Sequence, residues 1–261
     1  MDLIIFEKKD GIGLITLNDP DNRNAISHSF INDELEQCID DCSNDPAVRV
    51  VILRGAGACF SAGGNIKNMQ AGFDKGGYEY GPEDRKWGII IAKIRTIRKP
   101  VIASLHGSVA GGALCLALAC DFRIATEDTK FIFAFVNLGL VPDMGGAFTL
   151  VKMLGVAKAT ELMMTAKLFS GKEACAWGLV NESVSPNQLE ETTFKLANKL
   201  AAGPTLAYGA IKAMVNRVSF AGFDMFVDTE AEYQQMLSHT DDHREGVTAF
   251  LEKRKPIFKA C

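Results

Sequence analysis

What the chain lacks narrows its class first. It has no Cys-x-x-Cys pair: its seven cysteines stand apart at 38, 42, 59, 115, 120, 175 and 261. That odd, scattered set reads as reduced thiols in a cytosol-like compartment, not as a disulfide framework. Histidine is scarce, with four in all, and only His239 and His243 are spaced as HxxxH. That pair lies in the polar "SHTDDHRE" and reads as a solvated turn, so no metal is expected. No excess of basic charge exists, because the net charge is −4; nucleic acid is therefore not an expected partner. No apolar run reaches membrane-spanning length: the longest candidate, "VIASLHGSVAGGALCLALAC", is broken by His106 and glycines. The start, "MDLIIFEKKDG", turns charged after six residues, unlike a signal or transit peptide. The end, "KAC", is no known address. There is no repeat, no low-complexity segment and no G-x-S-x-G elbow around Ser108. These absences lead us to expect a soluble cytoplasmic protein.

What is present is a chain of 261 residues, 48% hydrophobic, enough for one large domain with a real core. "IIFEKKDGIGLITLN" reads as two strands around a Lys-Asp-Gly turn. "SHSFINDELEQCIDDCSND" has helical spacing at Phe30, Leu35 and Ile39, with Ser27 as cap. "VRVVILRGAG" is apolar throughout, as a strand covered on both faces would be. Residues 70 to 86 are polar and glycine-rich, the composition of a mobile loop. A helix "WGIIIAKIRTIRK", a strand "PVIASLHG", a buried helix "AGGALCLALAC" and a strand "DFRIAT" then follow. Asp121, in "ACDF", is expected to anchor a strand start. The alternation is an α/β pattern. From about residue 156 the chain reads as mostly helical. We expect a core over 1–200 and a helical subdomain over 201–261.

Three glycine-rich joints, each expected where a strand hands over to a helix or loop, punctuate this pattern: "CFSAGGNIKNM" (59–69), "HGSVAGGALCLALACD" (106–121) and "GLVPDMGG" (139–146). Glycine lets a backbone N–H approach a ligand closely, and a helix start turns its free N–H groups outward. Two such groups converging on one carbonyl oxygen make an oxyanion hole. The same glycines also serve tight turns and close helix packing. In the third joint stands Asp143, the one carboxylate in "LGLVPDMGGAFTL". An ionised carboxylate resists burial unless paired or hydrogen-bonded. Either Asp143 caps the helix "MGGAFTLVKML", or its apolar setting serves chemistry.

Taken together, "CFSAGGNIKNM", "KPVIASLHGSVAGGALCLALACDFRIAT", "NLGLVPDMGG", "AWGLVNESV" and "HREGVTAFLEKRKPIF" resemble the enoyl-CoA hydratase/isomerase (crotonase) superfamily, in its order and spacing. The resemblance implies a spiral of ββα turns followed by a helical trimerisation region, assembled as a homotrimer or dimer of trimers. It implies an acyl-CoA thioester as substrate, with no further cofactor. The oxyanion hole falls to the amides of Gly64 and Gly112. Coenzyme A binding falls to Ala62, Gly63, Asn65 and Ile66, and to Phe250 and Lys253 from a neighbouring subunit. Asn65 departs from the family's usual Asp.

Hydratases of the superfamily use two glutamates to activate water. Their positions here are Cys115 and Phe135, neither of which can deprotonate water as a carboxylate pair does. Cys115, between Leu114 and Leu116, reads as an inert core thiol. Members with an acid directly after the proline, as in "PDMGG", resemble isomerases that move a carbon–carbon double bond along an acyl-CoA. The phenylacetate-pathway isomerase type is the nearest in motif. One carboxylate suffices there: it takes a proton from one carbon and returns it two carbons along, while the oxyanion hole holds the enolate. An apolar surrounding makes such a base stronger and keeps water from the dienolate. Two alternatives stay open: an aryl- or ring-acyl-CoA enzyme using the same Asp, and a non-catalytic acyl-CoA-binding protein. Tyr78, Tyr80 and Trp87 are candidates to line the acyl pocket.

Overall fold

Asp10 and Gly11 both take positive φ, 52° and 81°, as a two-residue hairpin turn requires. They join β1 (Ile4–Lys9) to β2 (Ile12–Leu17), antiparallel with Ile4 opposite Leu17. The computed structural model describes residues 3–26, 34–74 and 86–261. Seven more strands follow among them: β3 (Val50–Gly55), β4 (Val101–Leu105), β5 (Ser108–Ala110), β6 (Phe122–Thr126), β7 (Lys130–Ile132), β8 (Phe169–Ser170) and β9 (Glu182–Val184). One six-stranded sheet runs β1-β2-β3-β4-β6-β9, and a three-stranded sheet runs β5-β7-β8. Beyond the hairpin the larger sheet is parallel, with Val51 beside Val101 and Ile102 beside Phe122.

The helices fill the turns between strands. They are α1 (Glu36–Asn44), α2 (Ile66–Asp74), α3 (Lys86–Thr96), α4 (Gly112–Ala119), α5 (Gly146–Thr165) and α6 (Gly171–Ala176). The chain then turns helical, with α7 (Leu189–Ala201), α8 (Thr205–Ser219), α9 (Phe223–Ser238) and α10 (Asp241–Leu251). Where a pass of the chain contributes to both sheets, it gives one strand to the large sheet, a short strand to the small one, then a helix. β4-β5-α4 and β6-β7-α5 are two such ββα turns.

The apolar run in β3 is explained by its two covered faces. Val51 and Leu53 enter the main core, whereas Val50 and Ile52 pack beneath Leu189, Ala197 and Leu200 of α7. α4 is buried on every side from Ala113 to Ala119, as a helix hydrophobic all round must be. Asp121 does anchor a strand start, its Oδ2 accepting the Val101 N–H at 2.9 Å.

Three expectations need correction. The polar stretch assigned to a loop from residue 70 is helical through Asp74, and helix resumes at Lys86; Ser27, Phe30, Tyr78 and Tyr80 lie outside the described residues. The "SHTDDHRE" stretch is no solvated turn. Thr240 caps α10 through the His243 N–H, and His243 is fully buried, its Nδ1 donating to the Leu138 carbonyl at 2.7 Å. The third glycine-rich joint follows a 3-10 turn, Ala134–Leu138, and not a strand.

Candidate active site

Buried polar side chains shape the first joint. Asn24 Nδ2 donates to the carbonyls of Ala56, Cys59 and Phe60 at 2.9, 2.9 and 3.1 Å. Ser61 Oγ donates to the Asn24 carbonyl at 2.7 Å and accepts the Gly63 N–H at 3.1 Å. The backbone of Ser61 then stitches this joint to the second. Its N–H reaches the Ser108 carbonyl, and its carbonyl takes the Ala110 N–H. Gly63, at φ +84°, lies against the Ala110 carbonyl, where no Cβ would fit.

This stitching brings Gly64 and Gly112 to one cavity. Gly112 opens α4, so its N–H has no acceptor within the helix and sits at the positive end of the helix dipole. Among the described residues, neither the Gly64 nor the Gly112 amide donates to a backbone acceptor. Asn65 caps α2, its Oδ1 accepting the N–H groups of Lys67 at 3.1 Å and Asn68 at 3.3 Å. Asparagine performs that task as well as aspartate does, so the departure from the family pattern leaves the turn intact.

The third joint does not use the Asp143 side chain as a helix cap. α5 begins at Gly146 with Gly145 as its cap, and no side chain caps it. The Asp143 carbonyl accepts the Gly146 N–H at 2.8 Å. Its half-buried carboxylate instead receives Gln234 Nε2 on Oδ2 at 3.0 Å. Met144 and Gly145 both take left-handed backbone, at φ 55° and 68°. The Met144 sulfur folds over Gly112, 2.9 Å from where a Cβ there would stand. The Gly145 N–H goes to Glu230 Oε2 at 2.7 Å. Burial pushes the Glu230 carboxyl up to about 8.

A cavity of about 430 Å³ opens between the joints. Of the sequence-based candidates, Ala62, Gly64, Asn65, Ile66, Gly112, Asp143 and Phe250 line it. Gly63 sits beneath it as a spacer, and Lys253 lies exposed just past α10, outside the lining. Phe250 lines the cavity of its own chain, although a neighbouring subunit was the expected source. Trp87 lines it too, as do Arg23 and Gln234, which sequence reasoning passed over. Phe135 presents its ring to the cavity, whereas Cys115 is buried behind it. Burial first, and then the charges of Asp143 and Glu230, raise the Cys115 thiol well above its ordinary range. It stays neutral and inert, as its apolar neighbours suggested. Among the described residues no group of three or more His, Cys, Asp or Glu comes together as a metal site needs, and no helix is long and apolar enough to cross a membrane.

A spiral of ββα turns with amides and a carboxylate facing one apolar cavity defines an acyl-thioester enzyme of the crotonase fold. The sequence model described as enoyl-CoA hydratase/isomerase matches residues 7–260, and the chain belongs to that family. It is 36% identical to the trans-2-decenoyl-[acyl-carrier-protein] isomerase of Streptococcus mutans, over 98% of this chain and 97% of that protein. It is 32% identical to the 1,2-epoxyphenylacetyl-CoA isomerase of Escherichia coli, over 99% and 98%. Among solved structures, an enoyl-CoA hydratase from Mycobacterium avium subsp. paratuberculosis superposes with a TM-score of 0.89 at 28% identity, covering 98% of both chains. The relatives thus include both isomerases and hydratases.

Proposed function

We propose that the protein is an enoyl-CoA isomerase in which Asp143 shuttles the proton. One observation carries this reading: among the described residues lining the cavity, Asp143 is the sole carboxylate. A hydratase needs a second acid to hold and activate water, and that place is taken by the Phe135 ring. Glu230 is not that second acid, because it is buried behind the loop and outside the cavity lining.

The thioester carbonyl accepts the Gly64 and Gly112 amides. Asp143 takes a proton from C2 of a 3-enoyl thioester, and the electron pair delocalises into a dienolate whose oxygen the two amides stabilise. The protonated Asp143 then returns the proton to C4, leaving the conjugated 2-enoyl thioester and a carboxylate ready for the next cycle. Each amide contributes roughly 3 kcal/mol to holding the enolate. The apolar walls keep water from the intermediate.

Oligomerisation belongs to the same reading. Leu206, Met214, Val218 and Met225 are 92%, 69%, 81% and 77% exposed on α8 and α9. Copies of this chain, in a homotrimer or dimer of trimers, would cover them. The unpaired thiols suit a reducing, cytoplasmic setting.

The test is to incubate purified protein with 3-enoyl-CoA and follow the absorbance of the conjugated thioester. Conjugation should proceed in the wild type and fall roughly 1,000-fold in Asp143→Asn. Hydration of 2-enoyl-CoA at a rate matching or exceeding isomerisation, or turnover of aryl substrates only, defeats the proposal. Unchanged turnover in Asp143→Asn also defeats it.

A further inference from the structure

Two side chains one turn apart on α9 grip the loop that carries Asp143. Gln234 donates to Asp143 Oδ2, and Glu230 accepts the Gly145 N–H, at 3.0 and 2.7 Å. Both are almost wholly buried, at 3% and 5% exposure. The amide oxygen of Gln234 and the second carboxyl oxygen of Glu230, Oε1 in both, are buried without a hydrogen-bond partner among the described residues. The i,i+4 spacing places them on one face, together with the inward Phe223, Ala231 and Ser238. Packing alone would put leucine at such positions, because a buried polar atom left unpaired is costly. Between the two grips lies Met144 at φ 55°, a conformation that persists in a bulky residue only when its surroundings hold it.

We infer that Gln234 and Glu230 are positioning residues of the active site: Gln234 fixes the plane of the Asp143 carboxyl, and Glu230 holds the Met144–Gly145 turn. This rests on Asp143 as the proton shuttle. Glu230 does its part as a neutral acid. Burial raises it first, and repulsion from Asp143 adds to that, bringing it to about 8. The titratable groups facing it are Asp143 in the loop and the neutral Cys115 thiol on α4. Ionising Glu230 sets a second negative charge beside Asp143 inside the protein, and the turn loosens. Isomerase activity should therefore fall as pH rises past 8.

Full-length wild type is compared with Gln234→Met, Glu230→Ala, Glu230→Gln and Asp143→Asn. Isomerisation and thermal unfolding are both followed from acid to alkaline pH. Gln234→Met should lower kcat roughly 100-fold, as a misplaced catalytic group does, with KM within about twofold. Glu230→Ala should lose a similar factor. Glu230→Gln should recover most of it at neutral pH while lacking the wild type's alkaline decline. A Gln234→Met enzyme with unchanged kcat overturns the inference. So does a Glu230→Gln enzyme that keeps the alkaline decline, or whose unfolding temperature follows pH as the wild type's does. If Asp143→Asn is fully active, the shuttle reading falls and takes the catalytic part of the inference with it. The unfolding arm still reports separately whether Glu230 is the buried neutral acid.

Discussion

Gly63 and Ala110 meet backbone to backbone: a Cβ built on Gly63 falls on the Ala110 carbonyl oxygen, and the Gly112 nitrogen lies 3.6 Å from the same point. The contact sets the separation of the two joints, and hence of the Gly64 and Gly112 amides. Gly63 also sits at φ +84°, where an L side chain costs about 1–2 kcal/mol. Gly63→Ala should therefore destabilise the fold by about 2 kcal/mol or more once the clash is added. It should also lower kcat more than it raises KM, because in the proposed reaction the amides it parts act most strongly on the enolate. Chemical denaturation and steady-state kinetics check the two halves. A stable Gly63→Ala enzyme with unaltered kcat would show that the spacing has slack.

Gly112 offers a cleaner deletion. It is the first residue of α4, the one helical position proline tolerates, since that N–H has no partner in the helix. The nearest obstacle to a side chain is the Met144 sulfur at 2.9 Å, the far part of a flexible chain. Gly112→Pro should leave the unfolding temperature nearly unchanged and lower kcat by roughly 100- to 1,000-fold, the loss expected for one oxyanion donor. Equal losses of stability and activity would mean that the glycine serves packing instead.

How far the site was legible from sequence depends on the reach of its signals. The glycine-rich joints and Asp143 announce themselves locally, as clustered glycines and as an acid stranded among apolar residues, whereas Gly64 and Gly112 are singled out within the joints by the resemblance to the superfamily. Glu230 and Gln234 do not. In "FDMFVDTEAEYQQMLS" the buried positions Phe223, Glu230, Ala231, Gln234 and Ser238 keep helical spacing, but the stretch has polar residues on every side. Only the tertiary fold, which lays α9 against the 143–145 turn, reveals that two of them face inward. His243 misled for the same reason. A sequence of acids, serine and threonine reads as solvated, yet the Thr240 cap starts a helix whose first turn buries the imidazole beneath Leu138.

Glu230 makes stability depend on pH in a direction opposite to most carboxylates. Its carboxyl is raised from 4.5 to about 8 in the folded state. Between those values the folded chain holds a proton that the unfolded chain has released. Its contribution is thus complete below about pH 4.5 and is lost as pH climbs through about 8. Within that window the stability difference between wild type and Glu230→Gln should shift against the wild type by about 1.4 kcal/mol per pH unit at most. Denaturation curves at pH 5, 6, 7 and 8 measure it. A difference independent of pH would show that Glu230 is ionised in the native protein.

Asn65 gives a small, sharp check on how the first joint is held. Its Oδ1 accepts two amides at the start of α2. Asn65→Ala should cost about 1 kcal/mol, and Asn65→Asp only a few tenths, since an amide oxygen and a carboxylate oxygen cap about equally well. If Asn65→Ala is as stable as the wild type, the cap is a bystander.

Beneath α8, Lys212 and Asp121 form a buried pair at 2.6 Å that ties the helical tail to the sheet. Asp121 also accepts the Val101 N–H at 2.9 Å and faces Arg95 at 3.3 Å, so it serves three elements at once. Lys212→Met leaves the carboxylate one cationic partner and should cost about 3 kcal/mol, the usual penalty for breaking a buried pair. Asp121→Asn should cost more, because it strands two buried cations. The two cations then behave differently. Arg95 cannot shed its proton, but burial already lowers the Lys212 ammonium, and without Asp121 it falls further. In Asp121→Asn the unfolded chain therefore binds a proton that the folded chain has lost. Stability should then rise with pH through the alkaline range more steeply than in wild type. Parallel pH profiles for the two proteins would show that Lys212 keeps its charge without Asp121, and that the pair is not what holds α8 to the sheet.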